Sequence, residues 1–139
     1  MTITLNHTIV PSRDKQAAAR LFSQLFGLSF EGVSGHFAPV RVNETLTLLF
    51  DDDVDAFESQ DYAFCVDDPE FDTVLQRVQA NWAALWQCPW SIDDGELNDW
   101  NGGRGFYFKD RDGHIIELMT CLSSAQANVE ARTFLGAPS

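Results

Sequence analysis

Apolar residues recur along the first half of the chain with two different periods. In residues 3–10 every second position is apolar except His7, which is the period of a β-strand with one polar residue in its apolar series. Residues 18–25 have the spacing of an amphipathic helix, with Ser12 as its predicted N-cap and Gly27 as its predicted end. Further short strands are predicted at residues 28–31, 36–42 and 45–50. The first half therefore has the order β-α-β-β-β.

The same order recurs after an Asp-rich linker at residues 51–60. A strand is predicted at residues 61–66, and a helix follows with Asp68 as its N-cap and Pro69 in its first turn. The remaining predicted segments are a strand at 85–90, a polar loop at 91–103 and hairpin strands at 105–109 and 114–120. The pattern thus predicts an α+β fold of two tandem βαβββ modules.

The composition is that of one globular domain. The chain has 139 residues, of which 45% are hydrophobic and 22% are charged, so it is long enough to bury a core and too apolar for a disordered acidic chain. We expect a single domain at residues 1–122, with modules at 3–51 and 61–121. Residues 123–139 form a tail in which a short helix is predicted.

The net charge of −12 limits the partners of the protein. Nucleic acids and anionic membrane surfaces require clustered Lys and Arg, so we expect neither as a partner. The acidity is local, because residues 43–75 contain eleven Asp and Glu and no Lys or Arg. A solvated linker with a helix start explains such a run, and a divalent-ion site is the alternative.

The cysteines and the N-terminal sequence indicate an intracellular setting. Cys65, Cys88 and Cys121 are an odd number without a CxxC spacing, so reduced thiols are expected. Cys65 shares a strand face with Asp61, where it could line a site, and a buried structural thiol is the interpretation that we expect. Residues 1–10 have no basic segment followed by a long apolar one, and no apolar run is long enough for a bilayer. A soluble, cytoplasmic protein is the expectation.

Three polar residues interrupt otherwise apolar strand patterns: His7, Asp61 and Glu117. Burying such residues costs free energy unless they are hydrogen-bonded or bind a metal ion. Hydrogen-bonded strand residues are one interpretation. The other is a metal site, because an imidazole and two carboxylates suit a borderline-to-hard divalent ion with open coordination positions.

The segments LNHTIV, DYAFCV and GRGFYFKDRDGHIIELMT together resemble the vicinal oxygen chelate superfamily, which contains glyoxalases, bleomycin-resistance proteins and extradiol dioxygenases. The resemblance covers residues 3–121. It implies two βαβββ modules whose mixed sheets form a cup, with a metal ion contacted by substrate oxygens. By the same resemblance, His7 and Glu117 are metal ligands, and Glu117 stands three residues after the DGH turn.

The resemblance departs at the third ligand, because this chain has Asp61 where metal-dependent members commonly have His in an H-x-A-F segment. Aspartate is shorter and has to reach an ion through a shifted backbone or a bridging water. If an ion binds to His7, Asp61 and Glu117, the candidates are Mn²⁺, Fe²⁺, Ni²⁺, Mg²⁺ and Zn²⁺. No organic cofactor is expected.

Candidate substrate contacts lie near the end of the second module. Tyr107 matches a tyrosine that lines the cavity in antibiotic-modifying relatives, and an aromatic core residue is the alternative. Arg104 either binds a substrate carboxylate or phosphonate or neutralises nearby acids. Trp90 and Trp100 are candidates for an apolar wall. By resemblance, His114 is structural and bonds loop backbone.

Two functions from different classes follow. The first is a glyoxalase-like metalloenzyme of lyase, isomerase or transferase type that chelates adjacent oxygens of a small substrate through its divalent ion. The alternative is a metal-free protein that sequesters a small molecule, as bleomycin-resistance proteins do, and Asp61 with the negative charge suits a cationic ligand. A ring-cleaving dioxygenase is disfavoured because it requires two histidines and one carboxylate. The resemblance also implies a homodimer, which we expect, and a single chain whose two modules close their own cup is the alternative.

Overall fold

A computed structural model describes residues 2–53, 55–81, 91–93 and 104–120, which form two compact units. The first unit is Met1–Ser59 with Gln76–Ala84, and the second is Gln60–Leu75 with Leu85–Ser139. The elements in chain order are β1 (His7–Pro11), α1 (Lys15–Phe26), β2 (Ala38–Arg41), β3 (Thr47–Asp51), β4 (Asp61–Val66), α2 (Asp68–Ala80), β5 (Ser91–Asp93), β6 (Gly105–Lys109) and β7 (Ile115–Thr120).

The first unit contains a three-stranded mixed sheet. Its strand order is β1-β3-β2, with β1 parallel and β2 antiparallel to β3. Alternate residues of the strands are buried with the apolar side of α1, and the Phe22 and Phe50 rings lie 6.0 Å apart. The other face is more open, because Ile9 retains 48% of its surface and His7 is exposed.

Helix α1 ends at the predicted residue, and its N-cap lies two residues later in the chain than predicted. Gly27 closes it in the left-handed conformation with φ of +70°, which confirms the predicted end. The N-cap is Asp14, whose carboxylate accepts a hydrogen bond from the Ala17 amide, so the prediction of Ser12 was wrong. Ser12 is buried because its amide donates to the Asp51 carbonyl at the end of β3.

Two strand predictions in the first unit were also wrong. Strand β1 begins at His7 and not at residue 3. Its partner β3 starts only at Thr47, because the Leu46 amide donates a hydrogen bond to the Asn43 side chain in the turn before β3. Of residues 3–6, Asn6 accepts a backbone hydrogen bond from the Thr47 amide through its carbonyl, and the ladder between β1 and β3 begins at the next residue, His7. Residues 28–31 alternate like a strand, yet they form none in the structure. A strand requires a neighbour for its backbone groups, and no described strand pairs with this segment.

The second unit has the predicted order β-α-β-β-β. Its four-stranded sheet runs β4-β7-β6-β5, with β4 parallel to β7 and the other pairs antiparallel. One face buries Phe106 and Phe108, and the Phe71 ring of α2 contacts Phe106 edge-on at 5.4 Å. The N-cap of α2 is Asp67, whose carboxylate accepts from the Glu70 amide, and not the predicted Asp68.

Other predictions for the second unit are corrected or fall outside the described residues. The predicted loop at 91–103 contains β5, which pairs with β6 and so satisfies its backbone groups in the sheet. The predicted strand at 85–90 and the tail at 123–139 lie outside the described residues. Neither helix in the described part of the chain has the length and apolar run that crossing a membrane requires. The α+β fold class is confirmed.

We expect Gly27→Ala to lower the free energy of unfolding more than Gly35→Ala does. Both glycines have positive φ, where a side chain costs about 1–2 kcal/mol. A Cβ at Gly27 would also meet the Arg77 Nη1 at 2.6 Å and displace its hydrogen bond to the Leu25 carbonyl, which adds about 1 kcal/mol. Urea denaturation measures both values. In an Arg77→Ala background the difference between the two variants should disappear, and its persistence would contradict this explanation.

Candidate functional site

Among the residues that the structure describes, the core residues cover only one face of the second sheet, and the other face carries the candidate site. The strand register places Ala63 of β4 and Tyr107 of β6 opposite Glu117 of β7. Because side chains alternate along a strand, Asp61 shares this face with Glu117 and Tyr107, and Phe106 and Leu118 point to the buried side. Asp61 and Tyr107 are exposed, and Glu117 is half-buried. We call this face the open face of the second sheet.

Two carboxylates meet on the open face. Burial raises the pKa of Glu117, and the nearby negative charge of Asp61 raises it further. The Asp61 carboxylate also lies within hydrogen-bonding reach of the Glu117 carboxyl group. Among the residues that the structure describes, neither acid forms an ion pair with Lys or Arg. The pair therefore concentrates negative charge that a bound cation would neutralise.

The carboxylate pair fits a divalent ion in part. Two carboxylates are ligands that Mg²⁺, Mn²⁺ and Fe²⁺ accept, and Asp61 and Glu117 are close enough to act on one group. In the described part of the chain, no group of three or more His, Cys, Asp and Glu side chains is placed to hold an ion. His7 belongs to the first unit, where it begins β1, is exposed and lies 2.9 Å from the Asn6 Oδ1 through its Nδ1.

The predicted substrate contacts differ in where the structure places them. Tyr107 is on the open face, directly across from Glu117. Arg104 is held at α2, with its guanidinium 2.9 Å from the Asp72 carboxylate, 3.1 Å from that of Asp68 and 4.4 Å from the centre of the Phe71 ring. These acids raise the pKa of Arg104. The structure therefore supports the neutralising role that the sequence left open for Arg104. Trp90 and Trp100 lie outside the described residues.

Cys65 also lies on the open face. It is a free thiol in register with Met119, and it is exposed, so the expectation of a buried Cys65 was wrong. The strand alternation that puts Asp61 on this face puts Cys65 there as well, four residues along β4. The open face thus has carboxylates near one end of β4 and sulfur atoms near the other.

A buried polar turn stands beside the carboxylate pair, and the sequence did not link it to the site. The Asp110 Oδ1 accepts hydrogen bonds from the Asp112 and His114 amides at 2.9 and 2.8 Å, and burial raises the pKa of Asp110 to about 6. His114 is fully buried, and its Nδ1 accepts from the Gln60 amide at 2.9 Å. The prediction that the His114 ring bonds loop backbone is confirmed. The DGH turn was the available signal, although its partner at Gln60 is 54 residues away.

Part of the acidic run meets basic groups in the first unit. The Asp51 carboxylate lies 3.2 Å from the His36 Nε2, and that of Asp53 lies 3.8 Å from it. The Asp52 carboxylate lies 3.6 Å from the Lys15 Nζ, and its contact with the Lys15 amide lowers the pKa of Asp52. These contacts pair the three acids with basic groups of the chain. Asp51 is the buried last residue of β3, so the prediction that the linker begins at residue 51 was wrong by one residue.

Comparison with known proteins connects this architecture to a superfamily. No family model matches the chain, and no curated protein matches it. The solved structure of oxidase ChaP-H2 is 36% identical, with 89% of this chain and 98% of that one covered and a TM-score of 0.73. Oxidase ChaP-H1 is 33% identical, with 88% and 99% covered and a TM-score of 0.72. A glyoxalase/dioxygenase from Nostoc punctiforme is 19% identical, with 86% and 92% covered and a TM-score of 0.62.

The mixed sheets, their helices and the βαβββ order of the second unit define an α+β protein with the glyoxalase/bleomycin-resistance/dioxygenase fold. With two relatives more than 30% identical over nearly their whole length, the chain belongs to the vicinal oxygen chelate superfamily.

We expect Asp61→Asn to lower the pKa of Glu117 toward its ordinary value, because the variant removes the negative charge that helps to raise it. The remaining elevation reflects burial. A ¹³C NMR titration of the Glu117 side-chain carboxyl measures the change. Asp72→Asn, on α2 in the same unit, is the control and should leave this pKa unaltered. An unchanged Glu117 pKa in Asp61→Asn would contradict the proximity of the two carboxylates.

We expect Asp110 to make the protein less stable as pH rises from about 4 to about 6. Burial raises its pKa from 3.8 to about 6, so the folded state binds the proton more tightly than the unfolded chain does, and the free energy of unfolding falls as that proton is lost. Hydrogen bonds from the His114 and Asp112 amides to the Asp110 carboxylate oppose part of this shift. Asp110→Asn keeps the Oδ1 acceptor and should be more stable at pH 7.5, by up to about 3 kcal/mol.

Urea denaturation between pH 4 and pH 8 tests this expectation. The curve of Asp110→Asn should separate from that of the natural chain as pH rises. Asp55→Asn is the control because Asp55 is exposed in the linker, and its curve should stay parallel to that of the natural chain. Parallel curves for Asp110→Asn as well would show that Asp110 has an ordinary pKa.

Proposed function

We propose that this chain is a metal-dependent oxidase that acts on small organic molecules with two adjacent oxygen atoms. The main support is its similarity to two oxidases at 36% and 33% identity over nearly their whole length. The sequence favoured a lyase, isomerase or transferase, and these two relatives instead favour a redox reaction. The carboxylate pair on the open face supports the metal dependence.

Asp61 and Glu117 would hold the ion on the open face. Both are anionic oxygen donors. Burial and then the nearby charge of Asp61 raise the pKa of Glu117, and a bound cation would offset both effects. The resemblance assigns a further ligand to His7, and this assignment stays a prediction. When bound, a divalent ion supplies Lewis acidity to adjacent substrate oxygens.

Tyr107 would contact the substrate. It faces the same side as Glu117 from the neighbouring strand, and its phenol can donate a hydrogen bond to a substrate oxygen. The overall reaction balances with dioxygen as the oxidant. A substrate with two hydroxyl groups on adjacent unsaturated carbons loses two electrons and two protons and becomes a diketone, and dioxygen gains them and becomes hydrogen peroxide.

A metal-free binding protein is the second candidate. The unneutralised charge of Asp61 and Glu117 also suits an organic cation, which needs no coordination geometry. The two candidates differ in what stabilises the protein, because a ligand that binds only the folded state raises its melting temperature.

We expect the natural chain, stripped of metal and then titrated, to bind Mn²⁺ or Fe²⁺, and Glu117→Gln to weaken that binding at least about tenfold. The reason is that the variant replaces one of two anionic ligands with a neutral amide. Isothermal titration calorimetry measures the affinity. Oxygen uptake and peroxide release, with a panel of catechol-type substrates and the metal-loaded protein, measure the reaction.

Asp72→Asn is the matched control, since it removes one acid from α2 and should not change metal affinity or oxygen uptake. Failure of Mn²⁺, Fe²⁺, Ni²⁺, Mg²⁺ and Zn²⁺ to bind would rule out the metalloenzyme. A melting temperature raised by cationic glycopeptides in the same protein would then support sequestration.

A further inference from the structure

We propose that His114 is a positioning residue that holds Asp61 beside Glu117, through a hydrogen bond to the backbone of Gln60. This inference rests on the proposed function in one respect only, namely that the carboxylate pair is the working site. The geometric claim itself concerns the metal-free protein.

Gln60 is bound to the β7 side of the hairpin at two points. Its amide donates to the His114 Nδ1 at 2.9 Å, and its carbonyl accepts from the Ile115 amide at 2.8 Å. We call these two bonds the Gln60 anchor. They hold the residue that directly precedes Asp61, the first residue of β4. Strand pairing opens most easily at the ends of strands. The Gln60 anchor therefore holds β4 at the end where Asp61 stands and where the pairing would otherwise open first.

The hydrogen bond fixes the chemical state of the His114 ring. A backbone amide can only donate, so the Nδ1 must present its lone pair, and the neutral ring has its proton on Nε2. A doubly protonated ring has no acceptor for Gln60. The anchor therefore requires a neutral His114 in one tautomer.

The His114 ring is itself held in place. It is completely buried, and the rings of His114 and Tyr62 pack in a T-shaped arrangement with their centres 5.9 Å apart. The His114 amide donates to the Asp110 Oδ1 at 2.8 Å, and its carbonyl accepts from the Asp110 amide at 2.9 Å. Because the ring is fixed in this way, the position of the hairpin turn determines the position of the first residues of β4.

One segment therefore determines the position of both carboxylates. Glu117 stands on β7, three residues after His114, and the same segment supplies both hydrogen bonds of the Gln60 anchor. Asp61 pairs with Ile115 in the parallel ladder directly after the anchor. Groups that orient ligands without touching the ion commonly change metal affinity about 10- to 100-fold when they are replaced.

Two substitutions separate positioning from packing. His114→Asn keeps an oxygen acceptor near the place of Nδ1 and loses ring volume, and His114→Phe keeps the volume and loses the acceptor. A positioning role predicts that Asn preserves the site and Phe does not. A packing role predicts the reverse, because the smaller side chain leaves a cavity.

The first measurement is made on metal-free protein by NMR. We expect nuclear Overhauser contacts between the Asp61 and Glu117 side chains, and slow exchange of the Gln60 amide, in the natural chain and in His114→Asn. Both should be lost in His114→Phe. Tyr62→Phe, which keeps the ring beside His114, is the control and should retain both. Contacts that persist in His114→Phe would overturn the inference.

The second measurement is the affinity for Mn²⁺ alone. His114→Phe should weaken it about 10- to 100-fold, His114→Asn should restore most of it, and His114→Phe should have no further effect in an Asp61→Asn background. An equal loss in Asn and Phe variants would overturn the positioning role. If the natural chain has the side-chain contacts and binds no metal, the proposed function fails and the positioning inference stands.

A measurement on the natural chain keeps the inference testable if a variant does not fold. A scalar coupling across the hydrogen bond between the Gln60 amide nitrogen and the His114 Nδ1 should be detectable in ¹⁵N-labelled protein. A His114 Nδ1 that bears a proton would overturn the inference.

Discussion

The parallel pairing of β4 with β7 is the constraint on which the candidate site depends. It joins a strand from the start of the second unit to one from its end, and its register places Ala63 opposite Glu117, so that Asp61 and Glu117 share one face. A shift by one residue would turn Asp61 toward the core that α2 covers, where a carboxylate would lose its water without gaining a partner. The same register buries Ile116 and Leu118, so the burial that stabilises the sheet also determines which side chains it exposes.

The acidic residues on the two sides of this sheet have different partners. On the α2 side, Asp68 and Asp72 meet the guanidinium of Arg104, and the exposed ion pairs contribute little to stability. On the open face, Asp61 and Glu117 meet each other, and in the described part of the chain no base neutralises them. Natural proteins tolerate such repulsion where it serves binding, and perturbed pKa values cluster at functional sites for this reason. Within the acidic run, this contrast separates Asp61 from Asp68 and Asp72.

Local sequence signals predicted the elements that depend on nearby residues. The alternation of residues 61–66, the hairpin around the DGH turn and the left-handed Gly27 are all readable within a few positions. Two of the errors in the first unit came from distant contacts. The start of β1 depends on where β3 begins, and the N-cap position of α1 depends on the bond between Ser12 and Asp51. Likewise, the polar interruption of a strand pointed to Asp61 and Glu117, but only the register could show that they meet.

With aspartate at position 61, the placement of the ligand atoms depends more on the backbone than it would with histidine. A carboxylate on a single methylene group reaches less far from the Cα than an imidazole does. The position of the Asp61 oxygens therefore depends more closely on the position of the backbone. The side chain of Asp61 has few rotamers with which to compensate, and the residue stands at the first position of its strand. Precise placement must therefore come from what holds the preceding peptide. In this fold, that group is Gln60, whose two backbone hydrogen bonds lead to the buried histidine and to β7.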